Sequence, residues 1–149
     1  MLQIVICDRS SEHAAQLEEI IHGTDGFAAC TVEHYHNARD FLHRLEEPRG
    51  IDVVFIDVTF DPDAGLLLAR EMNRKLPMAQ IVFTSCYVAH AVDISDAPHI
   101  YFLVKPYEPA RVQAALRKAR NLMEDGKDRR LLLPTRGNSS IVLSQAQII

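Results

Sequence analysis

Residues Val53–Gly65 read VVFIDVTFDPDAG: Val53, Val54, Phe55 and Ile56 run straight into a carboxylate, Asp57, and further acids and a glycine follow. An apolar run this short, bounded by turn-forming residues, has the length of a strand buried on both faces. Such strands belong to parallel sheets covered by helices. What requires explanation is the charge at the end of a segment that is otherwise buried.

Working outward, the same grammar repeats. LQIVIC (Leu2–Cys7) is strand-like, and Ser10 and Ser11 offer an N-cap to a helix with Ala14, Leu17 and Ile21 on its inner face. CTVEHYH (Cys30–His36) alternates, and Asn37 can cap a short helix through Phe41, Leu42 and Leu45 that Pro48 and Gly50 break. After Asp57 a helix runs from Gly65 through Leu68, Met72 and Leu76 to Pro77. QIVFT (Gln80–Thr84) and IYFLV (Ile100–Val104) are buried strands separated by a short helix near Val88–Ile94. Pro109–Met123 is the most amphipathic helix, with Val112, Ala115, Leu116, Ala119 and Leu122 on one face. Five β/α units of this kind predict an α/β fold, a parallel sheet with helices on both faces.

Composition narrows the function. A chain of 149 residues, 48% hydrophobic, can bury one good core, so one domain with an appendage is expected. Cys7, Cys30 and Cys86 are odd in number and unpaired in spacing, which suits a reduced, cytoplasmic chain. No apolar run approaches the roughly 20 residues of a membrane span, and no basic leader precedes LQIVIC. A net charge of -4 gives no reason to expect the chain as a whole to bind nucleic acid. His34 and His36 share a strand face, but no third ligand accompanies them; His13, His22, His43, His90 and His99 form no metal-binding spacing.

In open parallel sheets ligands collect at the carboxyl ends of the strands, beside the point where strand order reverses. Those ends carry Asp8 and Arg9, then Asp57, Thr84 and Ser85, and Lys105 and Pro106. Singly, each has an ordinary explanation as a cap, a turn or a surface residue. Together they put two carboxylates, hydroxyls, a guanidinium and an ammonium on one edge.

The combination of ICD at Asp8, FID at Asp57 with Gly65 beyond it, FTS at Thr84 and LVKPY at Lys105 resembles the receiver domain of two-component response regulators over residues 1–123, and HIYFLVKPYEPARVQAALRKA resembles receivers that precede a LytTR-type DNA-binding domain. The resemblance implies a doubly wound, flavodoxin-like sheet of order 2-1-3-4-5. It implies Asp57 as phosphoacceptor for a sensor histidine kinase, Lys105 and Thr84 as groups that meet the phosphoryl oxygens, and Thr84 with Phe102 as the switch pair. It further implies a cis peptide before Pro106, and Mg²⁺ held by Asp8, Asp57 and the backbone of Thr59. A homodimer through the face of the fourth helix, fifth strand and fifth helix, and contact with DNA through a full-length output domain but not through this stretch, follow in the same way. The implied role is signal transduction and transcription regulation, not enzymatic turnover.

Two departures qualify this. Arg9 stands where receivers carry a second acid, and magnesium wants hard oxygen ligands. Arg9 is expected to fork onto Asp57 and partly replace the ion; the alternative has Arg9 turned outward beside a degraded Mg²⁺ site. Asp61 stands where the family tends to have proline. An aspartate-nucleophile phosphohydrolase is disfavoured because Asp57 ends the third strand, whereas a phosphorylation-independent pseudo-receiver acting as a protein-interaction module stays open. Residues 124–130 read as a polar linker. Residues 131–149, with apolar runs at Leu131–Leu133 and Ile141–Leu143 around a GNSS turn, read as a short β extension, either the start of a LytTR-like domain or a tail hairpin.

Overall fold

The computed structural model describes residues 1–60, 65–97 and 99–132. Met1–Ala119 forms one compact unit, and the described residues from Arg120 on fall in a second. The elements follow the expected alternation: β1 (Gln3–Cys7), α1 (Ser11–His22), β2 (Thr31–Tyr35), α2 (Ala38–Leu45), β3 (Val53–Asp57), α3 (Gly65–Lys75), β4 (Gln80–Ser85), α4 (His90–Asp93), β5 (Tyr101–Val104) and α5 (Pro109–Leu132). All strands are parallel, in the order β2-β1-β3-β4-β5. The fold is the doubly wound, flavodoxin-like α/β class expected from the sequence.

Local chemistry sets the boundaries. Ser10 caps α1 with its hydroxyl accepting from the His13 amide, and Asn37 caps α2 by accepting from the Asp40 amide. Strand alternation then sorts the core. Val5, Cys7, Val54, Ile56, Ile81 and Phe83 point to one face, where Phe41, Leu45, Leu68 and Met72 of α2 and α3 join them in a single cluster. Ile4, Ile6, Val53, Phe55 and Val82 point to the opposite face and are equally buried. α1 and α5 cover it with Ala14, Leu17 and Ile21, and with Val112, Ala115, Leu116 and Ala119.

Some boundaries differ from the sequence reading. α4 is a single turn, His90–Asp93, and begins two residues later than expected. α5 continues to Leu132, so residues 124–130, expected as a linker, are helical, and the helix takes in Leu131 and Leu132 of the first apolar run. The rest of the expected β extension, residues 133–149, and Asp61 lie outside the described residues.

A charged clasp holds the β2 edge. Arg44 of α2 is 1% exposed, and its guanidinium forks onto Glu33 of β2 (Nε to Oε1 2.8 Å, Nη2 to Oε2 3.2 Å) while donating to the carbonyls of Arg49 and Gly50. The Tyr35 hydroxyl adds a 2.7 Å bond to Glu33 Oε1. Burial alone would raise the Glu33 carboxyl, but the hydrogen bonds from Arg44 and Tyr35 outweigh it and hold the group below its ordinary value.

Because that carboxyl is depressed in the fold, its contribution is present above the ordinary carboxylate pKa and is lost as pH falls through the folded value. Arg44→Ala should cost about 3–5 kcal/mol, the range for removing one partner of a buried pair, and should remove this acid-side dependence. Urea unfolding followed across pH checks both.

Candidate functional site

The register builds the site. Cys7 pairs with Ile56, Asp57 with Thr84, and Ser85 with Val104, so Asp8, Asp57, Thr84 and Lys105 emerge along one edge of the sheet. β1 lies between β2 and β3, and the chain crosses from one side of β1 to the other there. The two carboxylates therefore flank the topological switch point.

One ammonium joins them. Lys105 Nζ donates to Asp8 Oδ2 at 2.7 Å and to Asp57 Oδ2 at 2.5 Å, and all three residues are buried. Its third partner is His13 Nδ1, 3.2 Å away. The Lys105 amide is fixed by the Ser85 carbonyl at 2.8 Å, and the Lys105–Pro106 peptide is cis. The remaining carboxylate oxygens are also occupied. Asp57 Oδ1 accepts the Thr59 amide at 2.7 Å and the Thr59 hydroxyl at 2.6 Å, and Asp8 Oδ1 accepts the Ser10 amide at 2.9 Å.

These contacts fix the protonation states. Burial would raise the Asp57 carboxyl, yet the Lys105 and Thr59 hydrogen bonds lower it below its ordinary value. Burial would lower Lys105, yet the bonds to Asp57 and Asp8 raise it. The pair is ionic at neutral pH. Tyr107 is pushed up to about 12, chiefly by burial and against the lowering effects of a hydrogen bond with Thr84 and of the Lys105 charge, so it remains protonated.

Arg9 does not take the place expected of it. Its side chain is exposed, and the ion pair to Asp57 is made by Lys105. The physical reason is that a fork needs two acceptor positions, and Lys105 and the two Thr59 donors already occupy three of the roughly four on the Asp57 carboxylate. A solvated guanidinium also avoids desolvation. With Arg9 outside, two buried carboxylates and one ammonium leave a net negative charge.

That charge and the free acceptor positions decide the fit to a metal. Asp8 uses only two of its roughly four acceptor positions. Magnesium is typically bound through one or two carboxylates with several waters retained. Asp8 and Asp57 match that minimum, though among the described residues no cluster of three His, Cys, Asp or Glu side chains could hold a metal ion.

Thr84 is buried beside Asp57 on the neighbouring strand, and Phe102, paired with Phe83, is half-buried against the core. The sequence reading missed one neighbour, His13, which forms no spacing motif; the available signal was its position, a polar residue in the first turn of α1. Ser85, which the sequence places on the same edge, has its hydroxyl 2.6 Å from His90 Nδ1 and accepting the Tyr87 amide at 2.9 Å.

With this fold and strand-end cluster in place, comparison with known proteins defines the class. A profile described as the response regulator receiver domain matches residues 4–117, and the chain belongs to that family. The sensory transduction protein LytR of Streptococcus mutans is 27% identical over 128 residues, 79% of this chain and 51% of its own length. The transcriptional regulatory protein YpdB of Escherichia coli is 28% identical over 87 residues, 58% of this chain and 35% of its own length. The chain thus spans about half or less of these relatives. Among solved structures, the response regulatory domain of mrkE from Klebsiella pneumoniae superposes with a TM-score of 0.72 at 21% identity, covering 83% of this chain and 99% of that one. A response regulator from Thermotoga maritima gives 0.69 at 18%, covering 80% and 97%. These likenesses show the fold. Among the described residues no helix is long and apolar enough to cross a membrane.

Lys105→Met should invert the acid-side behaviour of stability. In the unsubstituted chain the depressed Asp57 contributes above the ordinary carboxylate pKa and its contribution is lost as pH falls through the folded value. The raised Lys105 contributes below the ordinary lysine pKa and its contribution is lost as pH rises through the folded value. Without the ammonium, two buried carboxylates repel, and the Asp57 carboxyl loses the bond that lowers it. The variant should then lose about 3–5 kcal/mol near neutrality and regain part of it as pH falls toward 5, as measured by urea unfolding.

Proposed function

We propose that this receiver accepts a phosphoryl group on Asp57 from a sensor histidine kinase and that acceptance controls a LytTR-type DNA-binding output in the whole protein. The observation that carries the reading is the Lys105 ammonium bridging Asp8 and Asp57 at the switch point of the sheet. The names of LytR and YpdB, a sensory transduction protein and a transcriptional regulatory protein, support the output.

The chemistry is a displacement at phosphorus. A carboxylate oxygen of Asp57 forms the new O–P bond, the P–N bond to the kinase histidine breaks, and the departing imidazole keeps the electron pair and takes a proton. Thr59 and Lys105 hold the Asp57 carboxylate ionised and oriented before attack. Lys105 then has an ammonium in place for the phosphoryl oxygens, and the Thr84 hydroxyl, engaged with Tyr107 at rest, turns to them. Asp8, Asp57 and the Thr59 backbone would hold Mg²⁺, which supplies charge neutralisation for the transferred group. Phe102 responds to the vacated Thr84 position and passes the change towards α4, where Tyr87, Val88 and Val92 stand exposed. That side is the surface assigned to a partner copy.

Phosphoramidate should add one phosphoryl group to the chain by intact mass and none to Asp57→Asn. No addition to the unsubstituted chain would overturn the reading in favour of the pseudo-receiver. Arg9→Asp restores a second acid beside Asp8 and should lower the Mg²⁺ concentration for half-maximal phosphorylation about tenfold, equivalent to about 1.4 kcal/mol. An unchanged metal dependence would show that Arg9 has no bearing on the ion.

A further inference from the structure

We propose that His13 is a positioning residue for Lys105, and that it is the anchor of the ammonium that phosphoryl acceptance leaves in place. A lysine ammonium has three protons, and here each has one acceptor: Asp8 Oδ2, Asp57 Oδ2 and His13 Nδ1. Because the ammonium can only donate, Nδ1 of His13 carries the lone pair and Nε2 the proton.

The contact closes a ring. Asp8 Oδ1 accepts the Ser10 amide, Ser10 Oγ accepts the His13 amide at 3.2 Å, His13 Nδ1 accepts from Lys105, and Lys105 donates back to Asp8. The N-cap of α1 and the Lys105 ammonium, which follows β5, are thereby locked together around one carboxylate. The serine that caps the helix holds the backbone of His13, and the imidazole is half-buried.

The three partners differ in what the reaction does to them. The proposal rests on the reading of Asp57 as phosphoacceptor: on phosphorylation, that carboxylate gives up an oxygen to phosphorus and its bond to Lys105 is exchanged for one to a phosphoryl oxygen. Asp8 is shared with any divalent cation at the site. His13 has neither commitment. It is neutral, so it holds the ammonium without competing with the phosphoryl group for positive charge. A carboxylate at this position would pull Lys105 away from phosphorus, and an apolar side chain would leave one proton unpaired and the ammonium free to swing.

The test uses the full chain as His13→Leu and His13→Gln, the second keeping an acceptor in reach. The first readout is the ¹⁵Nζ–H signal of Lys105, protected from exchange by its three partners. It should be seen in the unsubstituted chain and in His13→Gln and be lost in His13→Leu, with thermal midpoints of all three within a few degrees. The second is the rate of phosphorylation by phosphoramidate. His13→Leu should be slower by about tenfold, less than the roughly hundredfold that a 1 Å misplacement can cost, and His13→Gln should recover most of the rate. Persistence of the Lys105 signal in His13→Leu, or a rate within about twofold of the unsubstituted chain, would overturn the proposal. If the unsubstituted chain takes up no phosphoryl group, it is the reading of Asp57 that fails, and the Lys105 signal alone then decides whether His13 holds the ammonium.

Discussion

The constraint on which this structure depends is the placement of two buried carboxylates within reach of a single ammonium. Asp8 and Asp57 end neighbouring central strands, and unit charges about 4 Å apart in a protein environment of effective dielectric near 20 interact by about 4 kcal/mol. Unrelieved, that repulsion would oppose the strand pairing that brings them together. Lys105 converts it into attraction, and it reaches the pair because its amide is pinned to Ser85 at the end of β4. The sheet thus delivers the charges, and the loop after β5 delivers the counter-charge.

The same interaction explains the surroundings. Thr59 spends both its amide and its hydroxyl on Asp57, and Ser10 spends its amide on Asp8 and its hydroxyl on the first turn of α1. Loop and cap residues therefore serve the site and the secondary structure at once. The outward Arg9 also becomes intelligible, since a bidentate fork needs two acceptor positions and Asp57 has about one left.

Most of the fold was legible because its signals are local. The apolar runs at Ile4–Cys7, Val53–Ile56 and Ile81–Phe83, and the caps at Ser10 and Asn37, specify elements within a few residues. α4 and the end of α5 were read less well: four residues around His90 carry little periodicity, and the charged stretch after Met123 reads equally as linker or solvated helix. In the site, strand-end residues were legible because parallel strands converge by rule. The Lys105–His13 contact spans 92 positions and leaves no mark in spacing, while the fork expected between Arg9 and Asp57 failed because a competitor 48 residues away, Lys105, holds that oxygen.

The order of the strands also divides the site by rigidity. β1 and β3 are flanked on both sides and buried along nearly their whole length, whereas β5 is an edge and α4 a single turn. Backbone amides of the two central strands should open to solvent only with the whole domain, and those near β5 and α4 through smaller fluctuations. The acids thus belong to the part expected to exchange most slowly and the lysine to a part expected to exchange faster, so the proposed reaction at Asp57 would meet a fixed anvil on one side and a compliant neighbour on the other.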